Sequence, residues 1–241
     1  MVKLSDRLQR LADEVQAGET VADIGTDHGL LPIFLYENHI AAKVILCDIN
    51  EGPLLKAKQN IEAYGAFGLT DLRLGDGLGP LEPAEVDTVI IAGMGGLLMA
   101  EILGADLPKS KSFAKLVLQP RNAPERLRRW LCGNGWQIRN ESLVREGRYI
   151  CEIITAAPGA EEQREAGQEA ASGLDYEISP LLFRKRDTLL IPFIEKKIKT
   201  EHEIIKNIEA GSGKADHGRI RLAEERLEAL NGLLKKARET V

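Results

Sequence analysis

The sequence predicts an α/β fold: a mainly parallel sheet covered by helices on both faces, closed by an antiparallel strand hairpin and followed by a helical hairpin. Three observations predict it. Short apolar runs alternate with helical patterns through residues 4–133, the rhythm of a parallel sheet whose crossovers are helices. The runs are apolar throughout rather than alternating, as strands buried on both faces are. Two stripes of apolar residues near the C-terminus, joined by a glycine-rich loop, have the spacing of two helices packed side by side.

Each element has a local cause. Leu4, Leu8, Leu11 and Val15 recur at helical spacing, so residues 4–16 predict an amphipathic helix that Gly18 ends. Strands are expected at 20–24, 43–47, 72–74, 88–92 and 115–118, with helices at 30–39, 51–65, 96–104 and 123–133. Residues 136–144 and 149–155 are strand-like and joined by Arg145-Glu146-Gly147-Arg148, a hairpin signal that makes this pair antiparallel. The segment 157–173 is rich in Ala, Gly, Glu and Gln and reads as a linker or an exposed loop. A short helix is expected over 178–186. Ile191, Ile194, Ile198, Glu201, Ile205 and Ile208 then step by three and four, as do Ile220, Ala223, Leu227, Leu230, Leu234 and Ala237 after the loop 210–218. These stripes predict an antiparallel, coiled-coil-like hairpin about three heptads long. Two domains follow, 1–158 and 159–241.

The chain has 241 residues, 44% hydrophobic and 29% charged. That is enough to bury a core and too apolar for a disordered chain. No stretch approaches the ~20 uninterrupted apolar residues of a membrane helix. The N-terminus is polar from the start and has no secretory-signal pattern. Cys47, Cys132 and Cys151 are far apart and free of any CxxC spacing. This disfavours disulfides and structural zinc, and predicts a cytoplasmic protein without a metal site. The formal net charge of −5 argues at first sight against a nucleic-acid partner.

The residues that carry chemistry lie at four consecutive strand ends. The first strand and its loop read Val21-Ala22-Asp23-Ile24-Gly25-Thr26-Asp27-His28-Gly29. A glycine turn between strand and helix lets a ligand approach the backbone at the carboxyl edge of a sheet. The pattern is DxGxxxG, not the GxGxxG of a dinucleotide site, and a pyrophosphate sits uneasily beside Asp23 and Asp27. Acidic residues here suit a ligand bearing an amine or a sulfonium, which points to S-adenosyl-L-methionine. Asp48, with Ile49 beside it, ends the second strand, where a carboxylate accepts from both ribose hydroxyls. NAD and adenosylmethionine sites share that feature, so Asp48 does not separate them. Asp76 and Gly77 follow the third strand, an acceptor for an adenine amino group with room for its ring. Gly93, Met94 and Gly95 follow the fourth, where substrate and methyl group meet. Singly, each motif also reads as a tight turn or a strand end. Four in order point to adenosylmethionine.

With DIGTDHG, DINEGPL, RLGDG, IAGMGG and LVLQP in this order, the chain resembles the bacterial tRNA adenine N1-methyltransferases that act at position 22 of the tRNA. The resemblance extends over nearly the whole chain. It implies a class I, Rossmann-like methyltransferase fold with a seven-stranded sheet, and transfer of a methyl group from adenosylmethionine to N1 of an adenine in tRNA. It places Gly25, Asp27, Asp48, Asp76 and Gly77 at cofactor positions. Gly93, Met94 and Gly95 fall where many other adenine methyltransferases carry an Asn/Asp-Pro-Pro-aromatic motif. That motif is absent, so another group must hold the extruded base.

Adenine N1 has a free lone pair at neutral pH, so its methylation needs no base. The useful help is orientation, together with an accepting group near N1 and the amine, over which the product's charge spreads. Asp27 is the first candidate for that catalytic group; equally, it binds the cofactor amine or caps the next helix. His28 and Gln119 are weaker candidates. For the RNA, residues 109–148 hold ten basic and three acidic residues, a local balance of +7. Residues 184–221 hold ten and six, or +4. Backbone phosphates favour such surfaces, and the net charge averages over them. A tRNA partner held by segment 109–148 and the C-terminal hairpin is therefore expected. One alternative is a methyltransferase acting on a small molecule or protein, which the basic segment and the appended hairpin disfavour. Another is a non-catalytic module that binds adenosylmethionine or RNA, which turnover would exclude. An NAD oxidoreductase is disfavoured by the missing GxGxxG.

Overall fold

The computed structural model describes residues 1–69, 71–159, 173–210 and 217–240. By contact the chain divides into two units, Met1–Glu177 and Ile178–Val241.

In the first unit, β1 (Thr20–Ile24), β2 (Lys43–Asp48), β3 (Leu72–Leu74), β4 (Thr88–Met94), β5 (Lys115–Pro120), β6 (Trp136–Glu146) and β7 (Tyr149–Pro158) form one seven-stranded sheet in the order β3-β2-β1-β4-β5-β7-β6. β1 to β5 pair in parallel, and β7 runs antiparallel to both β5 and β6. The helices are α1 (Asp6–Ala12), α2 (Leu30–Glu37), α3 (Glu51–Ala63), α4 (Gly96–Ala105), α5 (Leu107–Ser110) and α6 (Pro124–Gly133). Successive strand residues enter opposite layers. Ala22, Ile24, Ile45, Cys47, Val89 and Ile91 join Met99 of α4 and Leu127 and Leu131 of α6 in one core. Val21, Val44, Leu46 and Ile90 join Ile33 and Leu35 of α2 and Ala57 and Ile61 of α3 in the other. The unbroken apolar runs of the sequence are this two-sided burial.

Among the boundaries that differ from expectation, four have a clear local cause. α1 spans less than 4–16, because Ser5 accepts from Leu8 N and starts it and Asp13 ends it. Leu4 and Val15 still pack on the core, from the flanking turns. α5 is an extra turn without apolar periodicity, started by Asp106, whose Oδ1 accepts from Lys109 N at 3.0 Å. β4 runs two residues past its expected end, because Gly93, at φ +76°, absorbs a register shift against β5. β6 and β7 pair up to Glu146 and Tyr149, so their turn is the two residues Gly147-Arg148 rather than four.

The second unit contains α7 (Pro180–Arg184), α8 (Leu190–Ala210) and α9 (His217–Thr240). α8 buries Leu190, Phe193 and Ile194, and α9 buries Ala223, Leu230, Leu234 and Ala237, close to the stripes read from sequence. Glu201 interrupts the apolar stripe and is buried, with Arg226 Nε 2.9 Å from its Oε1. Arg238 meets Glu195 at 3.0 Å. The two ion pairs run in opposite order along the helices, so α8 and α9 are antiparallel. Most of the expected linker 157–173 and of the loop 210–218 lies outside the described residues. Among the described residues no helix is long and apolar enough to cross a membrane.

Candidate active site

β2 and β3 lie on one side of β1, and β4 and β5 on the other. Loops that leave neighbouring strands at such a switch point diverge and open a crevice at the carboxyl edge. Here the crevice is a cleft of about 550 Å³, walled by the loops after β1, β2, β3 and β4 and by α1. Asp23, Gly25, Asp27, Gly29, Asp48, Ile49, Asp76, Gly77, Gly93 and Met94 all line it. Gly95 does not. It is the N-cap of α4 and lies against the next loop, where a Cβ would stand 3.0 Å from Asn122 Oδ1.

Gly25 is favoured by its backbone and has the Met94 side chain close against it. Its φ of +81° disfavours any side chain, and a Cβ would collide with the Met94 methyl group. Its N–H donates to Cys47 O at 2.8 Å, which seats the loop on the end of β2. Asp48 is buried at that end, and its Oδ1 accepts from Asn50 N at 2.8 Å, which holds the carboxylate in place. Asp23 is 8% exposed, and burial pushes its carboxyl up to about 6. The Thr26 hydroxyl pulls it partly back, the Asp48 charge adds to the rise, and Arg7 offsets it. Thr26 Oγ1 is itself buried and makes no aligned hydrogen bond to the described residues. Asp27 and His28 are exposed, with Asp27 Oδ2 and His28 Nε2 3.2 Å apart. Burial pushes the Cys47 thiol up to about 12, so this cysteine is an inert core residue.

The lining is strongly acidic: Asp23, Asp27, Asp48 and Asp76 against Arg7 and His28. Two neighbouring buried carboxyls match a ligand that brings positive charge and hydrogen-bond donors. Adenosylmethionine has both, in its sulfonium and amine and in its ribose hydroxyls. A pyrophosphate has neither, so the residues present fit the first and oppose the second.

Arg7 is the residue sequence reasoning missed. From α1 its Nη1 donates to Gln119 Oε1 at 3.1 Å, and its Nε lies 3.5 Å from Glu146 Oε1. It thus ties the cleft wall to the end of β5 and to the tip of the β6–β7 hairpin. A single arginine on an amphipathic helix carries no sequence signal for that role. Thr26 had such a signal, its place inside the glycine loop. Gln119 is buried outside the cleft lining, with its carboxamide engaged by Arg7 and by Pro120 O.

The basic segment 109–148 is not one surface. Lys115 Nζ sits 2.8 Å from Glu19 Oε2 and donates to Glu14 O at 2.7 Å. Arg128 is buried, bonded to Glu141 at 2.7 Å and Glu152 at 2.6 Å. Arg129 stacks over the Tyr176 ring at 4.6 Å. β6 runs in the same direction as β5, since both oppose β7. Exposed Arg121, Arg145 and Arg148, and Arg126 in the first turn of α6, therefore cluster towards the carboxyl edge, where the cleft opens. Lys109, Lys111 and Arg139 lie towards the opposite edge.

A family model described as a methyltransferase domain matches residues 4–154. The chain is 30% identical over 234 residues, 97% of its own length and 98% of the relative's, to the tRNA (adenine(22)-N(1))-methyltransferase of Bacillus subtilis (strain 168). Among solved structures it is similar to the B. subtilis m1A22 tRNA methyltransferase TrmK, with a TM-score of 0.82 and 28% identity, covering 97% of this chain and 100% of that one. It is similar also to Streptococcus pneumoniae Sp1610 in complex with S-adenosyl-L-methionine, with a TM-score of 0.81 and 29% identity, covering 96% of this chain and 100% of that one.

Proposed function

The chain belongs to the methyltransferase-domain family and, within it, to the tRNA (adenine(22)-N(1))-methyltransferases; from that premise we infer how its cleft works. The protein is an S-adenosyl-L-methionine-dependent enzyme that methylates N1 of adenine 22 in tRNA. The observation that carries this reading is the acidic, glycine-walled cleft at the switch point of the sheet, in a chain alike to those enzymes from end to end.

We assign Asp48 to the ribose hydroxyls, and Asp76 with Gly77 to the adenine end of the cofactor. Asp23 and Thr26 take its charged amino-acid end. Bound there, the cofactor supplies an electrophilic sulfonium methyl group. An ionised Asp23 is costly to the empty cleft and is balanced when a cation enters. The target N1 would bond to that methyl group with its own lone pair. The carbon–sulfur bond breaks as this bond forms and its electrons leave on sulfur as a neutral thioether, so no residue has to act as a base. The enzyme's contribution is orientation and an acceptor where positive charge grows, at N1 and the exocyclic amine. Asp27 is our candidate for that acceptor. It lies on the exposed side of the first loop, and His28 beside it restrains the carboxylate.

For the RNA we propose a footprint around the cleft mouth, with Arg121, Arg126, Arg145 and Arg148 meeting backbone phosphates. A second grip comes from the C-terminal helical pair. The division of labour follows the domains expected from sequence: cofactor and chemistry in 1–158, additional RNA contact in 159–241.

Incubation with an unmodified tRNA transcript and labelled adenosylmethionine, followed by mass mapping of nucleotides, tests the reaction. The expected product is a single N1-methyladenosine at position 22; no incorporation, or a methyl group elsewhere, overturns it. Asp27→Ala should abolish transfer while cofactor affinity persists. A large affinity loss by calorimetry makes Asp27 a cofactor ligand instead, and near-normal turnover removes both roles.

A further inference from the structure

Gly93 and Met94 line the cleft and Gly95 follows them, in the loop where substrate and methyl group are expected to meet, yet this loop has no side chain able to read a base edge. A carboxamide is supplied from the following loop. Arg121 N donates to Met94 O at 2.8 Å, and Gly96 N donates to Asn122 O at 3.0 Å. These two backbone bonds lace the loop after β5 to the loop after β4. The close approach depends on glycine, since a Cβ on Gly96 would stand 2.5 Å from Ala123 O. Ala123 takes a left-handed conformation, φ 48° and ψ 42°, immediately before Pro124. That backbone is unfavourable for a residue with a Cβ, and it recurs where surrounding structure must aim a neighbour. Asn122 is exposed beside Gly95, and its carboxamide forms no hydrogen bond to the described residues. Leu97 and Leu98, each 47% exposed, begin α4 next to it, and Leu98 lines the cleft. They offer an apolar surface on which a base can lie.

We propose that Asn122 is the specificity-determining residue for adenine. Its Oδ1 accepts from the exocyclic N6 amine and its Nδ2 donates to N7, the bidentate pairing that an asparagine makes with adenine. This pairing lies on the Hoogsteen edge and leaves N1, on the opposite edge, free to attack. A pairing through the Watson–Crick edge would cover the nucleophile. Guanine presents two acceptors, N7 and O6, on the same edge, so the Asn122 oxygen would face O6 without a proton between them. The proposal rests on the reading of the protein as an adenine N1-methyltransferase.

The test uses full-length wild-type, Asn122→Ala and Asn122→Asp proteins on tRNA transcripts carrying adenine or 7-deazaadenine at position 22. With adenine, Asn122→Ala should lose on the order of tenfold to a hundredfold in kcat/KM, while adenosylmethionine affinity by calorimetry stays unchanged. With 7-deazaadenine, which lacks the N7 acceptor, the wild type should lose about tenfold and Asn122→Ala should lose nothing further. Asn122→Asp sets a carboxylate against N7 and should be impaired on adenine but partly rescued by 7-deazaadenine. Wild-type activity in Asn122→Ala, an equal 7-deaza penalty in both proteins, or a loss explained by weakened cofactor binding overturns the proposal, while the reaction itself stands. Failure of the wild type on the adenine transcript overturns the enzymatic reading and this inference with it.

Discussion

Asp23, next to last in β1, and Asp48, last in β2, are two acids at the ends of adjacent strands, and both are buried. Keeping them costs stability and serves the ligand. For Asp23 the sign is determined by a raised value. Below its ordinary value of 3.8 the carboxyl is protonated in folded and unfolded chains alike, and the folded chain holds that proton up to about pH 6. The stability contributed by the protonated form is therefore complete below pH 3.8 and lost as pH rises through 6, a difference of roughly 3 kcal/mol. Asp23→Asn should raise the midpoint of thermal unfolding of the ligand-free protein at pH 8 and leave it little changed near pH 4. The same substitution should weaken cofactor binding. Wild-type affinity should itself fall as pH drops below about 6, where Asp23 takes up its proton; calorimetry across pH 5–8 checks this. Asp48→Ala removes the anchored ribose acceptor and should weaken cofactor binding by about 1.5–3 kcal/mol. The glycine-and-acid loop that carries these residues was legible in sequence, because close approach and charge are properties of a few consecutive residues. Arg7 was not, because its partners Gln119 and Glu146 lie 112 and 139 residues away.

Among the elements, α6 separates local pattern from tertiary outcome. Arg126-Leu127-Arg128-Arg129 reads as a basic helix face ready for phosphate. The helix instead turns Leu127, Arg128 and Leu131 inwards. Arg128 then serves Glu141 of β6 and Glu152 of β7, and its Nη1 donates to Tyr176 O at 2.9 Å. Removing it strands two carboxylates in the interior. Arg128→Ala should cost about 3–5 kcal/mol of stability, measured by urea unfolding. Arg126→Ala, on the exposed face, should change stability by no more than ~0.5 kcal/mol. It should instead weaken tRNA binding and flatten its salt dependence by about one phosphate contact. Strand and helix spacing showed where α6 begins and ends. Which of its arginines faces inwards depended on the acids that β6 and β7 bring beneath it.

For the whole molecule, the prediction concerns the two units. Truncation after Glu177 should leave cofactor affinity near wild type and remove most tRNA affinity in a gel-shift assay. Unchanged tRNA binding by a truncated protein with a native circular-dichroism spectrum would refute a role for the helical pair. The net charge of −5 does not decide against an RNA substrate, because charge acts through local surfaces. The +7 window was also incomplete as a guide: Lys115 and Arg128 are used inside the fold, and the remaining cations divide between opposite edges of the sheet. By itself the sequence determined the strand and helix succession apart from the short α5, the terminal hairpins, the four loops that wall the cleft and the chemistry those loops suit. All of these follow from periodicity and turn residues within short stretches of chain. The tertiary structure alone decided that Gly95 lies against Asn122 outside the cleft, that Arg7 spans from helix to hairpin, and which arginines remain on the cleft edge. Those outcomes depend on residues far apart in sequence meeting across packed elements, where burial and available counter-charges determine which way a side chain turns.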